Sequence, residues 1–359
     1  MNTKKLLYSF FRAKWIFEIP KKKKYLIFDN ATYLKKNFFF LFKSNDYDIF
    51  YTRFEKINLY ILLYTFLKDG LSKIVENYKK NYLNFIKPKI VYCALDQYVS
   101  FFFLKKLYPK AIYISDQHGI IKENGKNWPN NFFYRVCVDY KKKNGFKPEI
   151  DIGFVFNDNE KFWMSKIVKG NFYSLGSTQN NYYVEKKENK SILFISSGLY
   201  KQTVYNEKII FQKVYSICEK NNLSLSLLGR GKDEKKHRLI YGKGKWTFIK
   251  GYQGVNVNYS YKAINSFNLI IFSHSTLGLE ALSKKKKCLI LLSNWGKKQM
   301  SWKFKKNGSF WTSSKETLTI EKLLLKIYRM NSKKFKKKSS FIASKLMKFD
   351  YKNKKKKKK

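Results

Sequence analysis

Leu269-Ile-Ile-Phe-Ser-His-Ser-Thr-Leu-Gly-Leu-Glu-Ala-Leu282 is the stretch on which the fold reading turns. An apolar run over 269–272 enters hydroxyl residues without a spacer, and a helical pattern begins at once over 275–282. A strand that hands over directly to a helix is the unit of a parallel sheet with crossover helices. The turn places Ser273, Ser275 and Thr276 at a strand's carboxyl end and a helix's amino end. Free backbone N–H groups and the helix dipole favour a phosphate there. The plainer reading makes Ser275 or Thr276 an N-cap. A capping box would put Glu three residues after the cap, and those places hold Gly278 and Leu279. Glu280 lies four residues beyond Thr276 on the same helix face. It is expected to reach a ribose or sugar hydroxyl, the alternative being a solvated Glu beside a simple cap. His274 either faces the ligand or fills the turn.

The same alternation extends in both directions. Strands are expected at 25–29, 48–51, 90–95, 111–115, 153–157 and 171–176, with helices over 58–85 and 98–108. A second series has strands at 191–196, 223–228, 246–249, 269–272 and 288–292, with helices over 206–221 and 257–266. Between the series lies QNNYYVEKKENK (179–190), polar and without apolar period, which reads as a linker. The expected fold is α/β, with two facing Rossmann-like domains and a cleft between them. The domains would span 1–178 and 191–332, followed by a Lys-rich tail at 333–359. A chain of 359 residues suits two such domains.

Composition removes several classes of function. The formal net charge is +50, yet the cations are 69 Lys against 6 Arg. Arg reads phosphates and guanine edges through its bidentate fork, so a specific nucleic-acid partner is not expected. The excess of Lys, Asn, Ile, Phe and Tyr reads as the drift of an AT-rich genome, with a residual attraction to anionic head groups. Cys93, Cys137, Cys218 and Cys288 are scattered without a CxxC pair, as in a reducing compartment. With three His and no Cys pair near them, no zinc site is expected. Asp46-Tyr-Asp48 is the one DxD and reads as a turn, so neither a metal nor a cofactor is expected. The apolar stretches at 37–42, 59–67 and 288–292 fall short of the ~20 residues a membrane helix needs. Residues 1–24 alternate apolar pieces with Lys clusters, unlike a signal peptide. The chain is expected in the cytoplasm, resting on the inner membrane face.

Ser275-Thr-Leu-Gly-Leu-Glu-Ala-Leu282, followed by Lys284–Lys287 and an apolar strand, resembles the signature of surface-carbohydrate biosynthesis transferases of GT-B-like architecture. Leu228-Gly-Arg-Gly231, Lys245-Trp-Thr-Phe248 and Ser260-Tyr-Lys-Ala-Ile-Asn265 precede it in matching order. The resemblance covers residues 191–295 and reaches the first half through Asp116-Gln-His-Gly119, similar to the QHG turn of capsule-type GT-B proteins. It implies a C-terminal domain that binds a nucleotide-sugar and an N-terminal domain that binds the acceptor. The family's His-Pro pair is missing, and its cationic donor motif survives as Gly229-Arg230-Gly231.

His118 follows an apolar strand and precedes Gly119. It could take a proton from an acceptor hydroxyl, with Asp116 as the base instead or as its orienter. The alternative is a turn with a structural His. Ser196, Ser197 and Gly198 end a strand and would either line the cleft or form a surface turn. Arg230, at a strand end between glycines, is the expected partner of a leaving phosphate. His237, in KDEKKHRL, reads as solvated. The expected activity is transfer of a sugar from a nucleotide-sugar donor to a saccharide or lipid-linked acceptor in bacterial surface polysaccharide biosynthesis. The rivals are a basic binding module without catalysis and a nucleotide-sugar epimerase on the same fold.

Overall fold

A computed structural model describes residues 12–35, 46–53, 55–94, 98–119, 132–178, 180, 189–197, 201–231, 233–251, 258–293 and 303–350. The chain divides into two compact units. The first holds most of the residues up to 173, and the second holds Val155–Lys161 and Ser174 onward.

In the first unit, β1 (Lys14–Ile16) pairs with β4 (Lys56–Asn58) as a separate parallel ribbon. The main sheet contains β2 (Tyr25–Phe28), β3 (Tyr47–Phe50), β5 (Ile90–Cys93), β6 (Ile112–Asp116), β7 (Glu149–Val155) and β8 (Lys169–Ser174), in the order β3-β2-β5-β6-β7-β8. Its helices are α1 (Asn30–Lys35), α2 (Leu59–Asp69), α3 (Ile74–Ile86), α4 (Leu104–Leu107), α5 (Phe132–Asn144) and α6 (Asp158–Ile167). The single helix expected over 58–85 is two. Gly70 and Lys73 both take left-handed backbone between α2 and α3, which no continuous helix accommodates.

The second unit's sheet contains β9 (Asn189–Ile195), β10 (Leu225–Leu228), β11 (Thr247–Ile249), β12 (Phe267–Phe272), β13 (Lys287–Leu291) and β14 (Trp311–Thr312), in the order β11-β10-β9-β12-β13-β14. Its helices are α7 (Lys201–Lys220), α8 (Glu234–Tyr241), α9 (Asn258–Ser266), α10 (Thr276–Ser283), α11 (Thr317–Arg329) and α12 (Ser332–Leu346). Each strand pairing of this sheet is parallel. Strands β9, β12 and β13 are near-continuous runs such as Ile192-Leu-Phe-Ile195 because a parallel sheet is covered on both faces. From β9 the chain winds outward through β10 and β11, then returns to β9's other side for β12, β13 and β14. The direction reverses between β9 and β12, the place in an open α/β sheet where ligands bind beyond the carboxyl ends of the strands. The first unit has the same arrangement, with its reversal between β2 and β5.

Two boundary expectations are corrected. The segment read as a tail from 333 forms α12, whose Phe335, Ala343 and Leu346, with Met347 after it, belong to the second unit's core. The Asn157 side chain donates to Leu346 O at 2.8 Å, and Lys348 N donates to Phe156 O at 2.8 Å. These bonds give 155–161 to the second unit, so the division does not fall at one linker. Most of 179–190, the apolar stretch 37–42 and Gly198 lie outside the described residues.

Candidate active site

The reversal point between β9 and β12 gathers hydroxyl and imidazole groups from both strand ends. Ser275 is the N-cap of α10, and its Oγ accepts from Gly278 N at 3.4 Å. Gly278 is there because a Cβ would sit 2.3 Å from the Phe272 ring, so only glycine lets the helix start close over the strand. Thr276 opens the helix, partly exposed. Ser273 is buried and donates to Ser293 Oγ at 3.5 Å. His274 Nδ1 lies 3.3 Å from Ser197 Oγ, joining the loop after β12 to the loop after β9. Burial lowers the His274 pKa to about 4, so the imidazole is neutral at physiological pH.

On the β9 side, sequence reasoning missed the residue that shapes the loop. Glu207 of α7 is 2 % exposed, and its two carboxyl oxygens accept from Ser197 N at 3.0 and 3.1 Å. Tyr241 of α8 donates to the same carboxyl at 2.5 Å, and its oxygen lies 2.8 Å from Ser196 Oγ. Desolvation raises the Glu207 pKa, and the bonds from Ser197 and Tyr241 oppose it. A signal existed: Glu207 stands four residues before Phe211 on the buried stripe that continues through Val214 and Cys218.

After β10, Arg230 is exposed on a turn of two buried glycines. The turn after β11 presses on it: Gly251 N donates to Gly231 O at 3.1 Å, and a Cβ on Gly251 would lie 1.7 Å from Gly229 O. Arg230 is therefore held by backbone on a tight double turn at the carboxyl edge of the sheet. His237 is not solvated but buried, with Nδ1 2.7 Å from Asp233 O and its ring 5.0 Å from that of Phe248.

Glu280 is likewise not a solvated carboxyl. It is 6 % exposed, and its Oε1 accepts from Ser177 Oγ at 2.5 Å and from Tyr261 OH at 2.8 Å. Asn180 Nδ2 donates to its backbone oxygen at 2.9 Å. The lysines after it are equally engaged: Lys286 Nζ donates to Asn265 O, and Lys287 Nζ to Tyr328 O and Met330 O.

In the first unit, Asp116 ends β6 wholly buried, and Tyr92 OH donates to its Oδ2 at 2.9 Å. A carboxyl without solvent access does not meet an acceptor, whereas His118, two residues on, is partly exposed. Asp29, at this unit's own reversal point, was not singled out from sequence. It is buried with φ 82°, accepts from Ala31 N at 2.7 Å and from Thr52 Oγ1, and faces Arg53 Nε at 3.7 Å. Asp48 accepts from Tyr82 OH and Asp46 from Lys24 N, so the DxD carboxyls serve local structure. No cluster of three or more His, Cys, Asp or Glu suited to a metal occurs among the described residues. Cys93, Cys137, Cys218 and Cys288 are buried and form no disulfide.

Residues 197–358 match the model of a family described as "putative O-antigen biosynthesis protein". No curated protein matches the sequence. Among solved structures, the chain is similar to a "putative UDP-N-acetylglucosamine 2-epimerase" from Listeria monocytogenes, with TM-score 0.53 and 13% identity over 92% of this chain and 93% of that one. It is also similar to the UDP-GlcNAc 2-epimerase of Neisseria meningitidis bound to UDP-GlcNAc, with TM-score 0.51 and 12% identity over 91% and 94%. The wall teichoic acid polymerase TagF gives TM-score 0.52 and 10% identity over 92% and 86%. At these identities the likeness is one of fold. The chain is a two-domain α/β protein of GT-B-like architecture, similar through its C-terminal unit to an O-antigen biosynthesis family and so to proteins that build surface carbohydrate.

Proposed function

We propose that the chain is a glycosyltransferase that moves a sugar from a nucleotide-sugar donor to a saccharide or lipid-linked acceptor in surface polysaccharide biosynthesis. The observation that carries this is the meeting of Ser197, His274 and the Ser275 cap at the sheet reversal point between β9 and β12 and at a helix amino end. A diphosphate there would receive hydrogen bonds from Ser273, Ser275, Thr276 and the first N–H groups of α10. Arg230 would neutralise the charge that develops as the sugar leaves, without a metal. Ser196 and Ser197, braced by Tyr241 and Glu207, would line the donor's approach. Glu280, held by Ser177 and Tyr261, would brace α10 beneath the phosphate turn and act on the donor only through that helix. His118 would take the acceptor proton, with Asp116 a positioning residue behind it.

A second reading, epimerisation of the nucleotide-sugar, is favoured by the fold likeness to the two epimerases. It asks for a base that strips a carbon-bound proton from the sugar. Asp29, Asp116, Glu207 and Glu280 are all buried in hydrogen bonds, which favours transfer to an acceptor hydroxyl instead. One experiment separates the two. The purified chain is screened for thermal stabilisation by UDP, CMP and GDP, then given the matching nucleotide-sugars. Turnover that requires an added acceptor supports transfer. Interconversion of the sugar without an acceptor replaces it with the epimerase reading, and no stabilisation by any nucleotide sinks both.

A further inference from the structure

Helix α2 is built inside out. Its buried residues are Ile61 and Thr65, and Thr65 is occupied in polar bonds: its Oγ1 donates to Ile61 O at 2.7 Å and accepts from Asn81 at 3.0 Å. Its outward face carries Tyr60, Leu63, Tyr64 and Leu67 at spacings of three and four, and Leu71 continues the stripe beyond Gly70. Leu67 is 83 % exposed and Leu71 72 %. Asn58 Nδ2 donates to Glu18 O at 2.8 Å, which sets the exposed Phe17 and Ile19 beside the amino end of the helix. Of the 18 large apolar side chains exposed among the described residues, eight fall between 17 and 71. That clustering separates this face from the single exposed apolars any surface shows.

The same face is edged with cations. Along 12–24 stand Arg12, Lys14, Lys21, Lys22, Lys23 and Lys24 against Glu18 alone. Lys23 N donates to Ile86 O, next to Phe85, whose ring meets those of Tyr60 and Tyr64 at 5.6 and 5.2 Å. Lys68 sits over the Tyr64 ring at 5.3 Å. An apolar stripe with tyrosines at its flank and lysines at its rim has the composition of a helix lying in a bilayer interface. A second copy of the chain would bring the same lysine rim against itself and be repelled.

We infer that the α2 face, with Phe17 and Ile19, docks the protein on an anionic lipid surface, its leucines entering the head-group boundary and its lysines meeting lipid phosphates. The inference stands independently of the sugar-transfer reading, since it concerns a surface and not the reaction. The full chain is co-sedimented with vesicles of pure phosphatidylcholine and with vesicles containing one third phosphatidylglycerol. The wild type is expected to pellet with the anionic vesicles alone. Leu67→Asp with Leu71→Asp is expected to weaken that partition about tenfold or more while leaving the melting temperature unchanged, both sites being exposed. A chain lacking Lys354–Lys359 is expected to keep it. Equal binding by the double variant would mean that charge alone attracts the protein and would overturn the inference. So would failure of the wild type to pellet, or a wild-type dimer in analytical ultracentrifugation that the double variant dissociates.

Discussion

Replacing Glu280 by alanine strands two hydroxyls inside the second unit. Ser177 Oγ and Tyr261 OH both donate to Oε1, and Ser177 and Glu280 are each almost wholly buried. A buried donor left without its acceptor costs about 1–3 kcal/mol. Removing the carboxyl also removes its own desolvation cost, so the net loss is about 3 kcal/mol. The Asn180 bond to the Glu280 backbone oxygen survives the change. At about 2–4 °C per kcal/mol for a domain of this size, the melting transition should fall by roughly 6–12 °C. A double-mutant cycle isolates the cause. Tyr261→Phe combined with Glu280→Ala should be less destabilising than the sum of the singles by about 1–2 kcal/mol, because each removes the other's missing partner. Glu280→Gln keeps one acceptor oxygen and should lose less than the alanine variant. The assay is calorimetric melting with nucleotide affinity measured well below the transition, where the alanine variant should also bind more weakly. A fall of under about 2 °C for Glu280→Ala, or strict additivity with Tyr261→Phe, would refute the buried-network argument.

Arg230→Ala alters an exposed side chain, so melting should move by no more than about 0.5 kcal/mol equivalent. Nucleotide-diphosphate affinity should drop about tenfold or more through loss of a charge-assisted contact, as titration calorimetry would read. His274, neutral when folded down to about pH 4, should cost stability as pH falls through the window between 6.5 and 4. There the unfolded chain binds a proton that the folded chain refuses, a loss reaching about 3 kcal/mol at most. Glu207, raised by burial, works in the opposite direction. The check is therefore the difference in melting between wild type and His274→Asn across that window; a difference independent of pH would contradict the burial argument. Transferase activity should persist in EDTA, and His118→Asn should lower kcat about a hundredfold or more with donor affinity intact.

What the sequence disclosed was what local physics controls. β9 and β12 were readable because strands covered on both faces must be apolar throughout. β1, β4 and β14 have three, three and two residues, too few to show any period. α12 hid behind composition: six lysines among its fifteen residues suggested a tail, while Phe335, Ser339, Ala343 and Leu346 kept a helical stripe. The turn from β12 into α10 was legible because strand end, cap and helix start are contiguous. Its supports were not. Glu280 meets Ser177 across 103 positions, and Tyr241 reaches Glu207 across 34, distances over which no periodicity extends. His237 shows the same limit on a smaller scale, since charged neighbours on a short helix describe its outer face and say nothing of the ring turned inward.

The lysine excess divides by burial, and the division changes what it means. Lys284, Lys286 and Lys287 are buried, and the last two donate to backbone carbonyls at the carboxyl ends of α9 and α11. Those ends carry the negative pole of the helix dipole, so each ammonium offsets orphan carbonyls and is itself compensated. The basic run of the signature thus follows from the packing of two helix ends against β13, and a drift in base composition does not explain it. Lysines along 12–24 and on the outer face of α12 make no such bonds necessary, and drift accounts for them well. Only this exposed class is open to an anionic partner. Even there a net charge of +50 measures little, because salt screens isolated surface cations over about 8 Å. What selects a partner is a cation placed next to a second feature that the same partner satisfies. For Arg230 the proposed second feature is the α10 amino end, whose N–H groups a diphosphate would also meet. For Lys21–Lys24 it is the leucines of α2, where a lipid would offer both phosphate and hydrocarbon.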